Sequence, residues 1–264
     1  MNLFTTQDGV ALNYDTSGEG HAIVMIHTAL ENFTVFKELE KQLSRDYQIV
    51  LIDLRGHGYS DKPKHISFSD YGSDIKQLLD ALYIKSCALI GHEMGASVSA
   101  ELASKYPELV TSVTMVNPTM LEDKSPSERL YQKYAETIRN WDEEKQHKFL
   151  ANQLYYDKKK AQKVLKQMEN TLAFTTTAER QSVEASFNFN NIRNFLAQVQ
   201  VPVQIIVGQH GERTTVVEAK EVADYITNSE FEVFQHSGLY PFIEEKEAFL
   251  KELKKKAVKA KFNL

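Results

Sequence analysis

The sequence predicts an α/β protein: a mostly parallel central sheet with helices on both faces and a helical segment inserted near the middle of the chain. Three observations predict it. Short apolar runs alternate with segments of helical spacing, the order that builds βαβ units. The early runs, such as Ala22–His27, are continuously apolar, as strands covered on both faces must be. Between about Thr119 and Asn191 the strand signals stop and charged helical stretches replace them, which reads as a cap set into the sheet domain. The expected boundaries are 1–118 and 192–264 for the core and 119–191 for the cap.

Taken in order, Leu3–Thr6 and Val10–Tyr14 flank Asp8-Gly9, a turn pair suited to an antiparallel hairpin. Ala22–His27 is the first central strand. Thr34–Leu43 places Val35, Phe36, Leu39 and Leu43 on one helical face. Gln48–Asp53 is the second central strand, and Asp70–Leu82, with Ile75, Leu78, Leu79 and Leu82, is the next crossover helix. Ser86–Gly91 runs straight into a helix from Met94 to Tyr106, which Pro107 ends because its ring lacks an N–H and clashes with the preceding turn. Val110–Asn117 is the fourth central strand. The cap carries helical patterns at Ser127–Ile138, Asp142–Tyr155 and Lys158–Glu169. Strand Val203–Val207, a helix near Val216–Ile226, strand Glu230–Phe234 and a helix from Glu244 complete the order. The lysines of that last helix (Lys251, Lys254, Lys255, Lys256, Lys259, Lys261) read as its solvated face.

With 264 residues, 42% hydrophobic and 25% charged, the chain is long enough to bury one large core. Its 31 Lys+Arg against 36 Asp+Glu give a net charge of −5, so nothing general attracts nucleic acid or anionic lipid. The single cysteine, Cys87, excludes an intrachain disulfide, and its place inside an apolar strand reads as a buried, inert thiol. The eight histidines show no metal-ligand spacing, there is no P-loop, and Gly56-His57-Gly58 follows a strand without opening a helix. Neither a metal nor a cofactor is expected. The N-terminus lacks the pattern of a signal peptide and the apolar runs are too short to cross a bilayer, so a cytoplasmic protein is expected.

Five segments then resemble the α/β-hydrolase fold family. Tyr47–Pro63 (YQIVLIDLRGHGYSDKP) is similar to its strand-and-loop signature. Gly91-His92-Glu93-Met94-Gly95 stands where the family carries its nucleophile elbow, G-x-S-x-G. Ile26-His27 resembles the start of its oxyanion loop, Val201–Gly208 the strand leading to its acid, and Ser237-Gly238-Leu239-Tyr240-Pro241 the segment bearing its histidine. The resemblance implies the α/β-hydrolase fold with a lid.

It also implies that the residues of a serine hydrolase are replaced. Glu93 stands at the nucleophile position, Gly211 at the acid, Leu239 at the histidine, and Thr28 where the oxyanion loop usually has glycine. Triad members act as a unit, and losing one can cost on the order of 10⁶ in rate. The reading that follows is a non-catalytic protein that binds a small molecule between core and cap, near His27, Thr28, Ala29, Met94 and Leu239. Glu93 is expected to fill the oxyanion hole, near the N–H groups of Met94 and Ala29, as a helix-capping carboxylate. The alternative is a hydrolase or proton-transfer lyase using Glu93 with a displaced base such as His236; His210, Glu212 and Ser97 lie nearby in sequence. Ser97 is expected to bond back to the carbonyl four residues earlier, and His27 to be structural.

Overall fold

The computed structural model describes residues 2–119, 126–187 and 192–262. Eight strands form one sheet: β1 (Asn2–Thr5), β2 (Ala11–Ser17), β3 (Ala22–Ile26), β4 (Gln48–Ile52), β5 (Cys87–His92), β6 (Val110–Val116), β7 (Val203–Gly208) and β8 (Ser229–Phe234). Their spatial order is β1-β2-β4-β3-β5-β6-β7-β8. β1/β2 and β2/β4 pair antiparallel and every other neighbour parallel, as the hairpin and βαβ signals predict. The helices are α1 (Lys37–Leu43), α2 (Phe68–Ala81), α3 (Met94–Lys105), α4 (Pro126–Ile138), α5 (Glu143–Gln153), α6 (Lys158–Leu172), α7 (Thr177–Phe187), α8 (Arg193–Leu196), α9 (Val216–Asp224), α10 (Pro241–Glu244) and α11 (Lys246–Phe262).

The continuous apolar strands supply both faces of the sheet. Along β3, Ala22, Val24 and Ile26 join one core cluster while Ile23 and Met25 join the other; along β4, Val50 and Ile52 oppose Ile49 and Leu51. That division is the period-2 alternation of side chains about a pleated strand. A third, small cluster lies between α4 and α5, where Leu130, Ile138 and Leu150 pack with Tyr134, Trp141 and Phe149. Among the described residues no helix is long and apolar enough to cross a membrane.

Three segments differ from expectation. β2 continues to Ser17, because Tyr14–Ser17 find partners in Ile49–Ile52 of β4. Thr34–Leu43 is two pieces, a 3-10 turn over Phe33–Phe36 and then α1. Asn32 caps the turn by accepting the Thr34 N–H, and the Phe33 N–H is drawn to the Asp53 carboxylate at 2.8 Å. The final helix breaks at Glu245, whose carboxylate accepts the His236 N–H and the Ser237 hydroxyl. Helix α7, sparse in apolar spacing, lies across the core through buried Val183 and a Tyr71–Ser186 hydroxyl contact of 2.8 Å.

Candidate active site

The turn between β5 and α3 is tight enough to require its glycines. A Cβ on Gly91 would meet the Gly95 carbonyl oxygen at 2.2 Å, and one on Gly95 would meet that of Ile26 at 2.1 Å. Between them Glu93 takes φ 45° and ψ −105°. A non-glycine residue held there stores on the order of 1–3 kcal/mol of strain, which surrounding contacts must sustain. The Glu93 N–H donates to the Val116 carbonyl at 2.9 Å, and its own carbonyl accepts from Ala96 and Ser97, so strand and helix hold the turn from both sides.

The buried Glu93 carboxylate turns toward the loop after β7, where its Oε2 lies 3.1 Å from Nη2 of Arg213. Neither Glu93 oxygen makes a hydrogen bond among the described residues. This corrects the capping expectation: Glu93 puts no side-chain bond on α3. The Met94 N–H instead reaches the Thr28 hydroxyl, at 3.4 Å. Glycine at position 28 would leave that donor open; threonine brings an oxygen to it.

Behind the elbow lies a second buried carboxylate. Glu31 accepts the Tyr240 hydroxyl on Oε1 at 2.5 Å, and its Oε2 stands 3.8 Å from Nδ1 of His92. Burial pushes its carboxyl up, but His92, Tyr240 and Arg213 together outweigh burial and hold it below the ordinary range. Arg213 is opposed by burial and supported first by Glu93 and then by Glu31, and the carboxylates win, so its guanidinium is held more firmly charged than usual. The ring of Tyr155, between α5 and α6, stacks on Tyr240 with centroids 5.6 Å apart, bringing that connection onto this cluster.

The loop carrying Arg213 is braced by α4. Arg129 of α4 donates to the Arg213 carbonyl at 3.1 Å and pairs with Glu218, while Lys133 pairs with Glu212. Gly211 sits in the tight turn of that loop, where a Cβ would meet the Thr214 carbonyl oxygen at 2.2 Å. Leu239 is buried in the core; its N–H donates to the Leu154 carbonyl, and its carbonyl accepts from His92 Nε2 and Asn117 Nδ2, each at 2.8 Å.

The remaining sequence candidates separate. His27 is structural: Nδ1 donates to the Thr28 carbonyl at 2.7 Å and Nε2 accepts the Leu54 N–H at 3.1 Å. Ala29 is half-buried and packs against the core. His236 does not join the cluster. Its side chain is 66% exposed, against the Tyr156 ring and 3.8 Å from Glu245, because the end of β8 directs it outward. His210 also lies against Tyr156, with ring centroids 4.6 Å apart. Ser97 is buried without a hydrogen-bond partner among the described residues, so the expected back-bond is absent; Ser99 makes one instead, to the Gly95 carbonyl at 2.7 Å. Sequence reasoning missed Glu31, Arg213 and Tyr240. Only their neighbourhood to the oxyanion, acid and histidine segments pointed to them.

Residues 21–246 match the family described as alpha/beta hydrolase fold. The chain belongs to the alpha/beta hydrolase family. It resembles proteins named for hydrolytic reactions. It is 37% identical over 111 residues to the 2-(acetamidomethylene)succinate hydrolase of Mesorhizobium japonicum, a match covering 42% of this chain and 40% of that protein's length. It is 25% identical to 3-oxoadipate enol-lactonase 2 of Acinetobacter baylyi, over 94% of this chain and 93% of that one. The crystal structure of the enol-lactonase from Burkholderia xenovorans superposes with a TM-score of 0.81 at 20% identity, covering 96% and 98% of the two chains, a likeness of fold.

Proposed function

We propose that this α/β-hydrolase-fold protein is a hydrolase working through its elbow carboxylate, with Glu93 as a general base on water. The observation that carries the reading is the state of Glu93: a strained backbone, a buried carboxylate without hydrogen bonds, and one oriented guanidinium at 3.1 Å. Strain and buried carboxylate oxygens without hydrogen bonds each oppose folding, and both concentrate at functional sites.

The chemistry avoids the difficulty of a covalent route. An ester formed on Glu93 would need a second base to hydrolyse it, and Leu239 stands where the family's histidine would supply one. In direct attack, Glu93 takes a proton from water as the water oxygen bonds to the electrophilic carbon of an ester, lactone or epoxide. The carbon–oxygen bond to the leaving group breaks, and the proton passes from Glu93 to the departing oxygen. Arg213 orients the carboxylate and offsets the charge that develops. A positioned base of this kind contributes roughly 10²–10⁴-fold.

Leu239 and the Thr28 hydroxyl on the Met94 N–H favour a second reading, a non-catalytic protein with a small-molecule ligand between core and cap. Purified protein, screened beside Glu93→Gln on short-chain esters, lactones and epoxides, separates the two. Turnover that falls by about 100-fold or more in the variant supports the base. Turnover equal in both, or absent from both, overturns it and leaves the binding reading.

A further inference from the structure

No hydrogen bond among the described residues fixes the Arg213 guanidinium. Its Nε is buried without a partner, and it meets Glu93 as an ion pair at 3.1 Å. Its place therefore depends on how its backbone is held, and that hold comes from α4. The Arg213 carbonyl accepts from Nη2 of Arg129 at 3.1 Å, while Nη1 of the same guanidinium pairs with Oε1 of Glu218. Glu218 is itself fixed: its Oε2 accepts the Thr215 N–H at 2.7 Å and the Thr215 hydroxyl at 2.8 Å, in the capping box of α9. Arg129 thus forms a fork, one prong on an anchored carboxylate and the other on the carbonyl that orients the Arg213 peptide. To either side Lys133 pairs with Glu212, and the Thr214 hydroxyl donates to the Asn117 carbonyl at 3.0 Å; neither contact is made to Arg213 itself.

We propose that Arg129 is a positioning residue, which sets the Glu93–Arg213 contact by holding the Arg213 carbonyl. A hydrogen bond from a charged donor is roughly twice as strong as a neutral one, and the fork gives it direction. Without it the peptide between Arg213 and Thr214 is free to turn, and the Arg213 side chain moves with it. A displacement of about 1 Å can cost on the order of 100-fold in a tuned site. Where Glu93 acts as the base, Arg129 therefore governs how well that base is oriented from a helix that does not touch it. The consequence for turnover rests on the hydrolase reading; the positioning of Arg213 does not.

The test reads the guanidinium and not turnover. Hydrogen exchange of the Arg213 Nε–H is followed by heteronuclear NMR in the full chain and in Arg129→Gln, with the backbone N–H groups of Leu89 and Ile90 in β5 as the internal reference. Exchange at Arg213 is expected to be about tenfold faster or more in the variant, with β5 unchanged, because the opening is local. A residue that only stabilised the fold would speed both alike. Equal exchange at Arg213 in the two proteins, or an acceleration shared in full by β5, overturns the proposal. If Arg129→Gln folds poorly, Arg129→Lys carries the same comparison: it keeps a charge for Glu218 and gives up the fork. Faster exchange at Arg213 in a protein that turns over no ester, lactone or epoxide upholds this inference while the catalytic reading fails.

Discussion

The carboxylate of Glu93 and the guanidinium of Arg213, separated by 120 positions in sequence, meet at 3.1 Å in the interior. Each is tolerated there because of the other. A buried pair contributes little net stability over apolar residues of the same shape, but removing one partner leaves a charge without compensation, typically a loss of about 3–5 kcal/mol.

Arg213→Gln is therefore expected to destabilise by roughly 3–5 kcal/mol, and Glu93→Gln by less, since Arg213 retains Glu31 as a second carboxylate. In the double variant the two losses are not additive, because neither charge is stranded. Urea titrations of the four proteins measure the coupling. Additive losses would show that the pair does not interact.

This contact also marks what the sequence disclosed and what it hid. Gly91 and Gly95 announce the elbow because a turn whose backbones approach that closely accepts no side chain. The central strands were legible because both faces of β3 and β4 are buried, leaving no polar alternation. Arg213 and Glu31 look like ordinary charged loop residues. Only the register of β3, β5 and β7 brings their loops to one edge of the sheet, and nothing local encodes that. His236 failed for the converse reason: close in sequence to Leu239, it is turned outward at the strand end.

Acid should destabilise the fold through two buried histidines. Burial above all holds His27 down to about 4 and His57 down to about 3, with rings 5.0 Å apart. Each takes up its proton more readily when unfolded, near 6.5, so the stability each provides is complete above that pH and is lost as pH falls toward its folded value. The slope is about 1.4 kcal/mol per pH unit for each histidine. The raised carboxyls of Asp53, Asp74 and Glu101 act in the opposite sense, so the comparison is made against His57→Gln, which should remove one histidine's share of the slope between pH 6.5 and 4.5. An unchanged slope in that variant would refute the assignment.

Cys87 is buried in β5, and burial pushes its thiol up to about 12. It should resist thiol reagents in the native protein and react at the rate of unfolding. Labelling faster than unfolding, measured in the same buffer, would place the thiol at an accessible surface.

Glu93→Ser tests whether a serine at the elbow is sufficient. The hydroxyl would have Leu239 and Gly211 where a base and its orienting carboxylate are needed, so no appreciable esterase activity is expected on p-nitrophenyl acetate. Adding Leu239→His supplies a base, but its orientation then depends on Gly211→Asp, which the structure opposes. The new Cβ would lie 2.2 Å from the Thr214 carbonyl oxygen, so the turn must shift. Overpacking of this kind costs about 1–3 kcal/mol, and the displaced loop carries Arg213 with it. The triple variant is thus expected to be less stable than Glu93→Ser/Leu239→His and to gain little over it. Strong esterase activity from Glu93→Ser alone would reveal a working base already in place and overturn the account of Leu239.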